Sequence, residues 1–218
     1  MSGRTITRLG VVAAVLLVTT GMAGAQELKP IQLPAPVMDG GKPLMQVLKQ
    51  RMSAREYAPD KLPMQTLANL LWAAWGINRT DGHRTAPSAS NRQELEIYVT
   101  LPEGAFLWDA KANTLNPVAA EDLRAATGTQ PFPATAPLNL VFVADMTKVN
   151  RPATDPQQML NIGADAGFIS QNVYLFCASE GLATVVRASV PKDTLAKALK
   201  LRETQVIVLA QCVGYPKK

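Results

Sequence analysis

The spacing of apolar residues changes several times along this chain, and each change marks an element. Leu95 to Leu101 alternates and is β-rich, which predicts a strand. Phe106-Leu107-Trp108-Asp109 and Thr114-Leu115 read as the arms of a short hairpin, and Leu138 to Ala144 as a buried strand. Pro63 is a favourable first helical residue; after it Leu67, Leu70, Leu71 and Ala74 recur at helical spacing as far as Gly76, a natural stop. Trp72 and Trp75 widen the apolar surface of that helix, which suits core or dimer contact better than a cofactor box. Leu44 to Gln50 and Glu121 to Ala126 read as short helices, and the Pro-containing stretch from Gln130 to Pro137 as a loop.

Asn161 to Gly181 is the longest periodic segment. Ile162, Ala166, Ile169, Val173 and Phe176 follow one helical face, and the neighbouring positions are also largely apolar. Such a helix is expected to be central, packed between the sheet and a second surface. Ala183 to Val186 predicts a strand, Pro191 to Lys200 a helix, and Val206 to Val213 the last strand. Strands interleaved with helices predict one α+β or α/β domain with a mixed sheet.

The N-terminal stretch stands apart from this pattern. Arg4 and Arg8 precede an apolar run from Leu9 to Thr20, and Ala23-Gly24-Ala25 is a small-residue cleavage motif. Residues 1–25 are therefore expected to be a Sec-type signal peptide cut after Ala25, leaving no stable membrane span and a periplasmic or secreted protein. The alternative is a retained N-terminal anchor, for which the run is short and interrupted by Gly and Thr. Residues 26–44, rich in Pro and Gly from Gln26 to Gly41, read as an extended arm, and 45–218 as the folded domain. Losing Arg4 and Arg8 lowers the formal net charge from +5 to about +3. The remaining excess is spread along the chain without the clustered basic and aromatic stripe of a nucleic-acid binder. In an oxidising compartment Cys177 and Cys212 could pair, or both could serve as small buried hydrophobes. One histidine and two distant cysteines do not make a metal site.

The candidate chemistry lies in two short segments. In Arg51-Met52-Ser53-Ala54-Arg55, an extended backbone would place Arg51, Ser53 and Arg55 on one side, two guanidinium forks and a hydroxyl suited to a phosphate; a solvated turn with spare arginines is the other reading. Ala86-Pro87-Ser88-Ala89-Ser90-Asn91 is a loop ahead of a strand, where amides and short side chains can meet a flat ligand. His83 lies a few residues before Ser88, but the serine lacks the GxSxG elbow of a hydrolase nucleophile.

The order of these segments carries a resemblance. Arg51-Met52-Ser53-Ala54-Arg55-Glu56-Tyr57, the helix ending LLWAAWGIN, the loop APSASNRQELEIYV, a long helix running into GLATVV and a strand ending VGYP together resemble the nitroreductase family, nearest to its SagB-type oxidase and dehydrogenase branch. The resemblance spans about Met45 to Pro216. It implies an α+β, nitroreductase-like fold of a single domain, with a central mixed or antiparallel sheet flanked by helices, forming a homodimer with FMN at the subunit interface. The implied activity is two-electron transfer at that flavin. Carried over residue by residue, Arg51, Met52 (through its backbone), Ser53 and Arg55 would hold the FMN phosphate and ribityl chain. Pro87, Ser88, Ala89 and Asn91 would pack on the flavin of the other subunit, and Val186, Arg187 and Ala188 would run near the isoalloxazine edge. Lys217 and Lys218 would stand for the basic residue beyond the Gly-Tyr-Pro turn. Arg187 is expected either to donate to the pyrimidine end of the flavin or to be an exposed strand-end arginine.

Flavin chemistry requires no protein nucleophile, which agrees with the absence of a recognisable acid/base dyad or triad. The family usually draws on a reduced nicotinamide, which is not expected outside the cytoplasm. The redox partner is therefore expected to be a protein, a quinone or a small organic molecule. A flavin-binding electron relay, or a non-catalytic interaction protein of the same fold, is the alternative.

Overall fold

The computed structural model describes residues 27–218; the expected signal peptide lies outside them. Its centre is a seven-stranded sheet. In chain order the strands are β1 (Ile31–Gln32), β2 (Leu95–Leu101), β3 (Gly104–Asp109), β4 (Thr114–Ala119), β5 (Leu138–Asp145), β6 (Ala183–Arg187) and β7 (Gln205–Gly214). In space they run β1-β4-β3-β2-β5-β7-β6, and every pairing is antiparallel. The mixed sheet read from the interleaving is thus an antiparallel one. β5 and β6, joined through α4, run in the same direction, but β7 is slotted between them, so no two parallel strands pair.

Five helices complete the fold: α1 (Leu44–Gln50), α2 (Met64–Trp75), the short α3 (Phe132–Thr135), α4 (Pro156–Glu180) and α5 (Lys192–Ala198). The helix expected over residues 121–126 is instead a single 3₁₀ turn at Ala125–Thr127, and the Pro-rich loop after it contains α3. Pro131 supplies a φ of −75°, already helical, ahead of that short turn. α4 begins five residues before the expected Asn161, because Asp155 caps it by accepting from the amides of Gln157 and Gln158, with Pro156 in its first turn. It ends at Gly181, where φ is +71°, a left-handed stop that glycine adopts without strain.

β5 is buried at all eight positions, because both of its faces are covered. Leu138, Leu140, Phe142 and Ala144 meet α2 and α4 on one side, where Ile97, Phe106, Ile169 and Val173 complete the larger core. Val141 and Val143 meet Leu195 and Leu199, at and just beyond α5, on the other side. A third cluster of Tyr57, Ala136, Ala183, Val185 and Cys212 closes the β6–β7 end. Cys177 and Cys212 are free and buried on opposite faces of the sheet, which settles them as small core residues. Burial raises both thiol pKa values, that of Cys212 to about 11.

The N-terminal arm is extended as expected. It adds β1 to the outer edge of the hairpin, with Ile31 opposite Leu115, then crosses α2 where Val37 N donates to Asn69 Oδ1 and reaches the end of α4 where Lys42 N donates to Ser179 Oγ. Replacing Ile169, fully buried between α4 and the sheet, should cost about 2–5 kcal/mol as Ile169→Ala. Urea denaturation measures it, and an unchanged midpoint would mean that α4 does not pack on the sheet in this register.

Candidate functional site

β6 is an edge strand, and an edge leaves unpaired backbone groups that must be covered. The extended strap that follows α1 covers it. Ala54 N donates to Thr184 O at 2.9 Å, Ala58 N to Tyr215 O at 2.9 Å, and Lys217 N returns to Glu56 O at 3.3 Å. The strap therefore lies between β6 and the C-terminal residues. Its alternation has the expected effect for two of the three named side chains. The Arg51 guanidinium carbon sits 5.3 Å from the centre of the Tyr174 ring, and Ser53 Oγ lies 2.8 Å from the Tyr174 hydroxyl. The same hydroxyl accepts from Val186 N at 3.1 Å, so the expected strap and strand segments meet at one phenol. Arg55 is exposed two residues further along.

Among the described residues neither Arg51 nor Arg55 has a carboxylate partner; the ion pairs involve Lys61, His83, Arg124, Arg151 and Arg202. Two unneutralised guanidinium groups beside a hydroxyl form a donor set that fits an anionic oxygen cluster such as a phosphate. Lys217 and Lys218 are exposed beside Tyr57 and Lys61 on a groove of about 830 Å³, so the chain's last basic residues do reach the strap. A smaller hollow of about 230 Å³, floored by Tyr174 and Thr184 and walled by Met52 and Ala54, shares Gly181 and Pro216 with that groove.

Arg187 is neither of the two things expected of it. Side chains alternate along β6, and Thr184 points toward α4, where Gln211 Nε2 donates to its hydroxyl; Arg187 therefore points to the opposite face. There it is only 6% exposed and donates to Thr127 O, Asn139 Oδ1 and Cys212 Sγ, with Phe132 beneath it. Its guanidinium ties the 3₁₀ turn to β5 and β7 and faces away from Tyr174. The correction follows from strand parity, which turns the Arg187 side chain away from the candidate site while Val186 lies on the Thr184 side.

The second segment is held elsewhere on α4. Ala89 N donates to Asp165 Oδ2 at 2.9 Å, and Gln93 N donates to Ser88 Oγ at 3.0 Å, which ties that hydroxyl to its own loop and away from His83. Ser90 (φ 54°) and Asn91 (φ 51°) are left-handed, a conformation their short polar side chains tolerate better than most, so the loop turns sharply outward. Pro87, Ser90 and Asn91 are exposed at its tip. Asp165 and Tyr174 are nine residues apart on one helix, a rise of about 13 Å. Within one chain the two segments are therefore not brought together.

Sequence reasoning missed Tyr174, Asp165 and Glu94. Asp165 carried a visible signal, being a carboxylate at core spacing between Ile162 and Ile169. Glu94 is 1% exposed at the entry to β2 with Asp165 as its acidic neighbour; burial first, then that neighbour, raises its pKa to about 6, against the lowering influence of Arg92. The folded state thus holds a proton that the unfolded chain releases near the usual carboxylate value. The stability from this pair is full below that value and is lost as pH rises through about 6. Thermal melts at pH 5 and pH 7.5 should show a fall in Tm toward the higher pH, flattened in Glu94→Gln; an equal fall in both proteins would remove the pair as its cause.

Known proteins share this fold. The profile described as the nitroreductase family matches residues 48–215. A candidate nitroreductase of Methanocaldococcus jannaschii is 30% identical over 176 residues, covering 76% of this chain and 88% of that protein. The crystal structure of a candidate nitroreductase from Ralstonia eutropha JMP134 superposes with a TM-score of 0.81 at 39% identity, covering 87% of this chain and 90% of that one. The structure of a Desulfovibrio desulfuricans candidate nitroreductase in complex with FMN shares the fold at a TM-score of 0.60 and 20% identity, over 82% and 89% of the two chains.

Proposed function

This chain belongs to the nitroreductase family, and we propose that it is an exported FMN-dependent oxidoreductase whose flavin binds between two copies of the chain. The observation that carries the reading is the pair of arginines, Arg51 and Arg55, that have no carboxylate partner among the described residues and stand on either side of Ser53 along the strap over β6. The FMN complex of the Desulfovibrio relative supports the choice of ligand.

When bound, FMN would supply two-electron transfer, which the protein has only to position and tune. Arg51 and Arg55 would neutralise the phosphate dianion, with Ser53 giving a further hydrogen bond and Met52 lending its backbone. Lys217 and Lys218, beside the same strap, would add positive charge at that end. The exposed backbone at Val186 and Ala188 would border the ring system. Pro87, Ser88, Ala89 and Asn91 would reach the flavin of the other subunit, since on their own chain they sit about 13 Å along α4 from Tyr174.

A second copy is also what the outward face of α4 suits. Leu160 (65% exposed) and Phe168 (47% exposed) point away from the core with Ala164 and Gly167 between them, and Leu44, Met45 and Leu48 of α1 are exposed as well. Large apolar side chains gathered on one surface mark a contact region. Electrons would come from a protein, a quinone or a small organic molecule, in keeping with the expected export of the chain.

Purified mature protein should be yellow or turn yellow on adding FMN. Arg51→Ala and Arg55→Ala should each weaken FMN by roughly 1.5–3 kcal/mol, the loss expected for a hydrogen bond to a charged group. Flavin fluorescence titration reads this, and unchanged affinity in both variants would place the phosphate elsewhere.

A further inference from the structure

The Tyr174 side chain touches both chain segments of the candidate phosphate end. It is 7% exposed on α4, whereas Ser53, its partner on the strap, is exposed. Its hydroxyl oxygen receives Val186 N–H at 3.1 Å and stands 2.8 Å from Ser53 Oγ. A phenol carries one proton. Either hydroxyl can donate across the 2.8 Å contact; with the phenol oxygen already accepting from Val186 N, its one proton is available to Ser53 Oγ, and given there it leaves the serine proton free for something else. The Arg51 guanidinium, 5.3 Å from the centre of the same ring, is steered by the same side chain.

We propose that Tyr174 is a positioning residue for the phosphate-bearing end of the flavin: its buried hydroxyl, pinned by the β6 backbone, turns Ser53 into an outward donor while its ring holds Arg51 alongside. This rests on the FMN site above and adds a specificity element to it. The groups that Tyr174 governs face an anion, so its contribution belongs to discrimination between FMN and riboflavin, which lacks the phosphate. Catalysis at the ring system does not pass through it.

The test is a fluorescence titration of FMN and of riboflavin against wild type, Tyr174→Phe, Ser53→Ala and the double variant. Tyr174→Phe keeps the ring over which Arg51 lies and loses only the hydroxyl. It should weaken FMN about tenfold while riboflavin changes less than about twofold, the size of one hydrogen bond to a charged group. The double variant should lose little beyond Ser53→Ala, because the two hydroxyls act as one unit. Tyr174→His, which keeps a ring donor, should recover part of the FMN preference and serves if Tyr174→Phe does not melt cooperatively. Equal weakening of both flavins, or fully additive losses, would reduce Tyr174 to packing and overturn the proposal. A wild-type protein with no preference for FMN over riboflavin, or one whose preference survives Arg51→Ala and Arg55→Ala, would instead overturn the phosphate site itself, and Tyr174's role with it.

Discussion

An antiparallel sheet that ends in β6 has a row of backbone groups to satisfy on its last strand, and the rest of the site follows from how this chain meets that requirement. A single extended strap covers the edge, fixed by the bond from Ala54 N to Thr184 O and continued by the bonds of Ala58 and Lys217. Once Ala54 is bonded to β6, period-two geometry decides where its neighbours point. Ser53 and Arg51 are sent to Tyr174, while Met52 and Ala54 wall the small hollow beside it. The charged groups of the candidate site are placed by a structural need common to any open sheet.

α4 acts as the ruler for the rest. One helix of 25 residues carries Asp165 for the Pro87–Asn91 loop, Tyr174 for the strap, and exposed apolar residues from Leu160 to Phe168. The two candidate segments are kept apart within a chain because they are fastened to different turns of the same rigid rod. A copy docked against those apolar residues can bring one chain's loop toward the other chain's strap. The burial of Asp165 and Glu94 follows as well, since the loop's Ala89 amide needs an acceptor where the helix is otherwise apolar.

Most of this architecture was legible in the chain. The strand at Leu95–Leu101 and the helix at Leu44–Gln50 were read with their observed bounds, and the stop at Gly181 was anticipated, because alternation, helical spacing and glycine punctuation are local signals. What escaped was set by tertiary context. Glu121–Ala126 has helical composition but lies under α3 and over the Arg187 guanidinium, where only a 3₁₀ turn fits and the Thr127 carbonyl is free to accept. The sheet was read as mixed because sequence order does not reveal that β7 inserts between β5 and β6. In the candidate site, charge and turn chemistry were visible in the sequence, and the contacts made by a buried hydroxyl or carboxyl were not. Tyr174 looks like one more member of an apolar helix until the strap is seen against it.

The contrast between Arg187 and Arg51 shows what separates a structural arginine from a candidate anion-binding one. Both lie near β6, and in the sequence they are indistinguishable. Arg187 is buried with three neutral acceptors, Thr127 O, Asn139 Oδ1 and Cys212 Sγ, which spread its charge over dipoles it cannot leave. Arg51 is half-buried against an aromatic face and bonded to no carboxylate among the described residues. The first guanidinium has used its two terminal nitrogens on the fold. The second lies against the Tyr174 ring, on the strap whose Glu56 carbonyl accepts from Lys217 N and so holds the chain's last two lysines nearby. A concentration of positive charge that the fold itself leaves uncompensated favours a ligand that brings the opposite sign, and a phosphate-bearing flavin meets that condition where a neutral one would not.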